Sequence, residues 1–276
     1  MTEPAPPPEN LVVYEVKGTP NEQDAPDLSS PGFLGFRVEG GYTFFFFDRE
    51  ADESMRAYVA DRPGLELRHV HRMKYTDWQD GARFAPFAVG PLVLAPAWTE
   101  VTVKPDQYLI RIDPGLAFGF GGHPTTRACL EFLTRVYSHD CPAGVLDLGT
   151  GTGVLAMAAA KLGAARVTAV EHSHIAFETA RRNVSLNHLG RVVEIIHGRA
   201  EDYLNLPAEL LCANLHLPVQ EAVSEGGGFL RRRWLILSGL FHAQAEKMEK
   251  ALSGQGFKTL DRLRDARWSS LLMKAE

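Results

Sequence analysis

A glycine-rich stretch between two acidic residues is the part of this sequence best suited to bind a ligand. Residues 145–153 read Val-Leu-Asp-Leu-Gly-Thr-Gly-Thr-Gly, and a second apolar run ends in Glu171, 22 residues after Gly149. Glycines let a ligand approach the backbone, and an acidic residue at the end of the next strand can accept hydrogen bonds from ribose hydroxyl groups. These residues predict a nucleoside site on a strand–turn–helix–strand unit.

The spacing of the glycines separates two kinds of nucleoside cofactor. A dinucleotide fingerprint, G-x-G-x-x-G, has its third glycine where this chain has Val154, whereas the third glycine here is Gly153. A G-x-G-x-G turn after an aspartate resembles the pattern of S-adenosylmethionine-dependent methyltransferases, whose cofactor has no pyrophosphate to place at a helix N-terminus. An NAD-dependent oxidoreductase is therefore the less favoured interpretation. The cofactor-binding residues predicted from this segment are Asp147, Gly149, Gly151, Gly153 and Glu171.

A second glycine-rich segment precedes the first. Residues 113–126 read Asp-Pro-Gly-Leu-Ala-Phe-Gly-Phe-Gly-Gly-His-Pro-Thr-Thr, with four glycines between Gly115 and Gly122. Glycine costs conformational entropy and contributes no buried side chain, so core packing does not explain this density. The segment is interpreted as a lid, or as backbone that lies against a ligand. An irregular loop between domains is the alternative.

The second segment resembles the A-F-G-T-G-x-H-x-T-T motif of the PrmA family, bacterial methyltransferases that modify the eleventh protein of the large ribosomal subunit. The resemblance continues through residues 147–153 and 155–163, Glu171 and Ala213-Asn214-Leu215, and it is visible upstream in residues 77–78 and 92–98. It is nearly continuous from Asp77 to the C-terminus, whereas the first 75 residues match the family in character only.

The resemblance implies a fold, a cofactor and a set of site residues. The fold is an α/β class I methyltransferase domain with a seven-stranded mixed sheet, and a small N-terminal α+β domain that recognises the ribosomal protein. Two departures bear on the exact substrate: Phe120 stands where the family usually has threonine, and His172 and His174 follow the acidic residue. The residues implied to contact S-adenosylmethionine are Thr126, Gly149, Glu171 and Asn214, and those implied to orient the substrate amine are Asn214 and the backbone near Phe118.

The expected reaction is N-methylation of lysine side chains or N-terminal amines. A sulfonium already carries an activated methyl group, so the reaction needs neither a metal nor an enzyme nucleophile. A lysine with a pKa of about 10.4 is neutral at pH 7 at a cost of roughly 4.6 kcal/mol, and desolvation in a closed site lowers that cost. In-line positioning contributes about 7–11 kcal/mol more. The alternatives are a methyltransferase of another protein or small molecule, and a non-catalytic binding module on the same fold.

The elements that must position these residues alternate in type along the chain. Residues 1–9 are expected to form a disordered tail, and 10–85 a small domain with a hairpin at 33–47 and a helix at 52–60. Four prolines, Pro86, Pro91, Pro96 and Pro105, indicate a linker at 86–112. Residues 113–276 alternate helix and strand, which predicts a parallel sheet covered on both faces. The expected strands are 144–148, 166–171, 192–196, 209–215 and 234–238, followed by an antiparallel pair at 257–262 and 268–273.

The composition sets limits on location and partners. The chain has 276 residues, 45% of them hydrophobic, and a net charge of −5. We expect a cytoplasmic protein, because there is neither a signal sequence nor an apolar run of about 18 residues. Three cysteines without ligand spacing, and histidine pairs at 69/71 and 172/174 without a third ligand, predict no metal site. The mild negative charge predicts a basic protein partner and no direct binding to nucleic acid.

Overall fold

The computed structural model describes residues 6–20, 31–78, 84–225 and 227–276. It contains two compact units, a small one within residues 5–83 and a large one that includes residues 84–276. Residues 1–5 of the predicted tail and residues 21–30 lie outside the described residues. Across the described ranges, none of the helices is both long and apolar enough to cross a membrane.

The small unit is an antiparallel sheet with a helix on one face. Alternate residues of its central strand, Val12, Tyr14 and Val16, are buried against Met55 and Tyr58 of the helix, as expected for a strand whose side chains point to opposite faces. The predicted hairpin and helix are confirmed. The elements are β1 (Asn10–Lys17), β2 (Phe33–Glu39), β3 (Tyr42–Phe47), α1 (Asp52–Ala60), β4 (Glu66–Lys74) and α2 (Tyr75–Trp78), and the strand order is β2-β3-β1-β4.

The predicted linker at 86–112 is wrong, because this segment forms a three-stranded sheet. Its strands are β5 (Phe87–Val89), β6 (Leu92–Pro96) and β7 (Tyr108–Ile112), in the order β5-β6-β7. The four prolines fall at strand ends and in turns, where a missing backbone donor does no harm. The strands carry four fully buried side chains of the large unit's core, Leu92 and Leu94 between Pro91 and Pro96, and Ile110 and Ile112 after Pro105.

The large unit is built on a seven-stranded mixed sheet. The order β10-β9-β8-β11-β12-β14-β13 has five parallel strands and an antiparallel pair at one edge, so the predicted α/β fold with its mixed sheet is confirmed. The strands are β8 (Gly144–Leu148), β9 (Arg166–Glu171), β10 (Val193–His197), β11 (Leu210–Asn214), β12 (Trp234–Phe241), β13 (Phe257–Arg264) and β14 (Trp268–Ala275). The helices are α3 (Pro124–His139), α4 (Val154–Leu162), α5 (His174–Leu186), α6 (Leu217–Glu225) and α7 (His242–Ser253).

The strand order predicts where a ligand would bind. From β8 the chain adds β9 and β10 on one side and then returns to add β11 and β12 on the other. Ligands of such sheets bind beyond the carboxyl ends of the strands where this reversal occurs. The ends of β8, β9 and β11 lead into the turn at 149–153, Glu171 and Asn214. The fold therefore brings the predicted site residues to one edge of the sheet.

Candidate active site

The glycine turn, residues 149–153, adopts backbone angles that favour glycine. Gly149, Gly151 and Gly153 have φ values of +70°, +58° and +84°, a region that costs other residues roughly 1–2 kcal/mol each. A β-carbon on Gly149 would lie 2.2 Å from Leu215 Cδ2, and one on Gly151 would lie 2.4 Å from the Phe118 carbonyl oxygen. Gly149 and Gly151 therefore allow the geometry of the turn and also leave room for neighbouring segments.

Glu171 presents an ionised carboxylate beside this turn. The Gly151 and Ser173 amides donate to its two carboxylate oxygens at 3.0 and 2.9 Å, and His172 Nδ1 lies 3.2 Å from Oε1. Burial alone would raise the pKa of Glu171, but the hydrogen bonds from His172, Ser173 and Gly151 outweigh it, and the pKa lies below its ordinary value. A carboxylate has about four acceptor positions, so these three donors leave one for a ligand hydroxyl group, and a second hydroxyl can take the place of the exposed His172 ring.

Asp147 lies beneath the turn. It is 1% exposed, and the Thr150 hydroxyl donates to its Oδ2 at 2.5 Å. Burial raises the pKa of Asp147 to about 7, opposed by the hydrogen bond from Thr150. The sequence groups Asp147 with the cofactor ligands, whereas its hydrogen-bond donors in the structure are Thr150 of the turn and the backbone of Ala156 in α4. The geometry therefore favours a role in shaping the turn.

The segment 113–123, which we call the lid loop, lies directly on the glycine turn. Thr152 makes two contacts with it: its amide donates to the Phe118 carbonyl at 3.0 Å, and its hydroxyl donates to the Gly119 carbonyl at 2.7 Å. The Phe118 side chain is 51% exposed. The centre of the lid loop is therefore fixed on the glycine turn, and its role as a lid or as backbone against a ligand stays a prediction.

The C-terminal half of the lid loop serves packing, contrary to the prediction that packing cannot explain its glycines. Phe120 is 8% exposed and joins the core of the large unit, with its ring centroid 4.9 Å from that of Phe84. A β-carbon on Gly121 would lie 2.7 Å from the Phe87 ring, and one on Gly122 would lie 2.6 Å from the Phe120 ring. These two glycines are needed because a large side chain anchors the loop at this point.

Asn214 and Thr126 meet at the end of β11. Asn214 Nδ2 donates to Thr126 Oγ1 at 3.4 Å, and Thr126, in the first turn of α3, is 1% exposed. The residue before this helix, His123, caps it: the Thr125 amide donates to His123 Nδ1 at 3.3 Å. Its position at the cap favours a structural role for His123.

Aromatic side chains line one side of this region, and the sequence analysis missed them as a group. The His123 ring lies edge-on to Phe118 at 5.1 Å and to Trp268 at 5.6 Å, and Trp268 stacks on Phe241 at 4.8 Å. We call Phe118, His123, Trp268 and Phe241 the aromatic row. Its members come from the lid loop, the α3 cap and the facing ends of β12 and β14, so no spacing in the sequence reveals it.

Gln220 is a second residue that the sequence did not reveal. It is fully buried, and its Nε2 donates to the Leu215 and Ser238 carbonyls at 2.6 and 2.7 Å. It thereby holds the chain after Asn214 against β12. A polar residue on the buried side of α6 is the one signal that could have indicated it.

The histidine pairs do not come together with further metal ligands. His71 Nε2 lies 2.8 Å from Glu15 Oε2 in the small unit, and His174 lies against His197, with ring centroids 5.5 Å apart. Within residues 6–20, 31–78, 84–225 and 227–276, no group of three or more His, Cys, Asp or Glu side chains is placed to hold a metal ion.

Comparison with known proteins gives the family. The profile described as Ribosomal protein L11 methyltransferase (PrmA) matches residues 42–276. Proteins named ribosomal protein L11 methyltransferase are similar to this chain: one from Desulforamulus reducens is 35% identical, covering 76% of this chain and 68% of its own length. One from Geotalea uraniireducens is 34% identical, covering 80% and 76%.

A solved structure agrees with these sequence relatives. The ribosomal protein L11 methylase of Lactobacillus delbrueckii subsp. bulgaricus is similar with a TM-score of 0.60 and 29% identity, over 70% of this chain and all of that one. The class I methyltransferase fold expected from the sequence is confirmed by this likeness and by the strand order. The chain belongs to the PrmA family of ribosomal protein L11 methyltransferases.

Proposed function

We propose that this protein transfers methyl groups from S-adenosylmethionine to amino groups of ribosomal protein L11. Membership of the family makes the chain an S-adenosylmethionine-dependent methyltransferase. The observation that carries the proposal is the convergence of the glycine turn, Glu171 and Asn214 at one edge of the sheet, with the lid loop on the turn. The target class, lysine or N-terminal amines, and the roles of single residues are part of the proposal.

The residues at this edge fit S-adenosylmethionine. The Glu171 carboxylate is ionised and buried, with acceptor positions that a ribose diol can use. Gly149, Gly151 and Gly153 keep the adjacent backbone free of side chains, and Asp147 holds the turn from below through Thr150. When bound, the cofactor supplies an electrophilic methyl group.

The substrate amine needs orientation and a lower desolvation cost. Asn214 directs its Nδ2 to Thr126, so its Oδ1 is the atom that would accept a hydrogen bond from the amine. The Phe118 carbonyl accepts from Thr152 and so fixes the lid backbone, while the half-exposed Phe118 ring belongs to the aromatic row. Aromatic faces attract alkylammonium groups by about 0.5–2 kcal/mol, which supports a lysine-bearing substrate.

The division of the chain and its charge support a basic protein as the partner. In the proposal, the N-terminal domain within residues 10–85 recognises L11, and the domain from 113 to 276 transfers the methyl group. The three-stranded sheet of 87–112 belongs with this second domain. The net charge of −5 favours a positively charged substrate. A cytoplasmic location is part of the proposal, and a ribosomal protein as substrate supports it. Direct binding to nucleic acid is not part of the proposal.

The test is binding followed by transfer. Purified protein is titrated with S-adenosylmethionine and with NAD in a calorimeter, and then incubated with radiolabelled S-adenosylmethionine and purified L11. We expect micromolar binding of S-adenosylmethionine, no binding of NAD, and label in L11. Gly151→Arg should abolish both binding and transfer, because a side chain there would displace the Phe118 carbonyl.

The matched control is Gly190→Arg, which adds the same positively charged side chain at a position that has room for it. Gly190→Arg lies at an exposed glycine with open space beyond its α-carbon, and we expect wild-type binding and transfer. Binding of S-adenosylmethionine with no label in L11 would refute the substrate and favour a methyltransferase of another protein or small molecule. Absence of cofactor binding in the wild-type protein would refute the enzymatic function and favour a binding module.

A further inference from the structure

The strand that leads into the lid loop is held by side chains of a helix. β7 lies at the edge of its sheet, where its backbone groups need other partners. Asn187, the C-cap residue of α5, accepts from the Arg111 amide at 2.8 Å and donates to the Arg111 carbonyl at 2.7 Å. One turn earlier, Asn183 accepts from the Asp113 amide at 2.9 Å and donates to the Asp113 carbonyl at 3.0 Å.

The spacing explains why two asparagines of one helix can pair with one strand. Four residues of helix rise about 6.0 Å and two residues of strand about 6.6 Å. Asn183 and Asn187 therefore match Asp113 and Arg111, and α5 takes the place of a neighbouring strand along β7. Both asparagines are buried, at 0% and 8% exposure, so water does not compete for these bonds.

Asn183 differs from Asn187 in one contact that reaches the site. Its Nδ2 also donates to the Thr152 carbonyl at 2.9 Å, while the Asn187 Nδ2 instead donates to the Asn183 carbonyl at 2.8 Å. Thr152 is the residue whose amide and hydroxyl hold Phe118 and Gly119. The beginning and the centre of the lid loop are thus both tied to Thr152, the first through Asn183 and the second directly.

We propose that Asn183 is a positioning residue that fixes the start of the lid loop against the glycine turn and so increases the affinity of the site for S-adenosylmethionine. The inference rests on the proposed function for its cofactor. Only an amide side chain of this length donates two hydrogen bonds and accepts one. An aspartate would present an oxygen to the carbonyls of Asp113 and Thr152, and repulsion would separate the lid loop from the turn.

The experiment compares Asn183→Asp with Asn187→Asp. Each change removes the donated hydrogen bonds of a buried amide, two from Asn183 and three from Asn187, one of them to Met157 Sδ, so Asn187→Asp should lose at least as much thermal stability as Asn183→Asp. We expect Asn183→Asp to raise the Kd for S-adenosylmethionine about tenfold or more, as the loss of one to two hydrogen bonds predicts, and Asn187→Asp to change it less than twofold. Calorimetry on the full-length protein measures both. Enzyme kinetics should distinguish the variants in the same way. Asn183→Asp should raise the KM for S-adenosylmethionine, with a kcat within about twofold of the wild-type value at saturation.

The outcomes separate this inference from the proposed function. Equal losses of affinity in the two variants, or unchanged affinity in both, would overturn the positioning role. If Asn183→Asp does not fold, Asn183→Ser and Asn187→Ser give the same comparison with smaller changes. Wild-type protein that binds S-adenosylmethionine but does not label L11 would refute the proposed substrate, while the comparison of Kd values would still decide the role of Asn183. Wild-type protein that does not bind the cofactor would refute both.

Discussion

Gly151→Ala should break the contact between the glycine turn and the lid loop. The new β-carbon would lie 2.4 Å from the Phe118 carbonyl oxygen, a backbone atom that cannot rotate away. The φ of +58° adds about 1 kcal/mol of strain for any residue with a side chain. Displacing the loop also breaks the two hydrogen bonds from Thr152, at about 1 kcal/mol each. The expected loss in the free energy of unfolding is therefore about 3 kcal/mol, measured by urea denaturation.

Gly153→Ala is the matched control, because it has the same backbone strain without the clash. Its φ is +84°, and its nearest neighbour would be the Ala180 β-carbon at 3.4 Å, close to an ordinary contact. We expect Gly153→Ala to lower the free energy of unfolding by about 1 kcal/mol and to leave the Thr152 amide with slow hydrogen exchange. In Gly151→Ala the same amide should exchange faster. Equal destabilisation by the two substitutions would refute the view that Phe118 rests on the turn.

Three further substitutions test other parts of the site. Burial raises the pKa of Asp147 from 3.8 to about 7, so the folded protein retains a proton that the unfolded chain releases, and the free energy of unfolding falls as the pH rises between these values. Asp147→Asn should flatten that fall in denaturation curves taken between pH 4 and 8, and an unchanged slope would contradict the assignment. Gln220→Leu leaves the Leu215 carbonyl without its buried donor, while the Ser238 carbonyl keeps the Leu215 amide. It should lower the free energy of unfolding by about 1–2 kcal/mol; a loss under about 0.5 kcal/mol would show that the chain after Asn214 is held by other contacts. Trp268→Ala should raise the KM for L11 about fivefold or more through loss of the aromatic row with an unchanged Kd for S-adenosylmethionine, and the opposite pattern would assign this side chain to the cofactor.

The part of the site that follows from regular geometry could be predicted from the sequence. Strands expected at 144–148 and 166–171 are β8 and β9 with the same bounds. The carboxyl ends of adjacent parallel strands meet at one edge of the sheet. Gly149 follows the first strand and Glu171 ends the second, so the sequence predicts that the two residues lie close together. The hydrogen bond from Gly151 to Glu171 is the result.

The part that depends on packing could not be predicted in this way. The prolines of this segment indicate a linker, because the sequence shows where regular structure stops but not that Leu92, before Pro96, and Ile110, after Pro105, are buried. From the sequence, Phe120 is a departure that bears on the substrate, since a motif position does not tell whether its side chain faces the ligand or the core. Its burial shows that the lid loop is anchored on the core at one end of its glycine cluster.

The side chains that set the shape of the site act mostly on backbone atoms, which explains why they were missed. Asn183, Gln220 and Thr152 donate to the carbonyls of residues far away in sequence. Because every residue has a carbonyl, neither the type of the partner nor its spacing in the sequence indicates such a bond. These side chains are marked by burial, since the amide donors of Asn183 and Gln220 are hydrogen-bonded to backbone carbonyls, while Gln220 Oε1 has no hydrogen-bond partner among the described residues. Asn183 and Gln220 lie on separate helices, each joining a loop to a strand or turn at the same edge of the sheet. For a reaction in which the cofactor supplies the activated group, the protein's contribution is mainly positioning, and these buried amides are where the fold provides it.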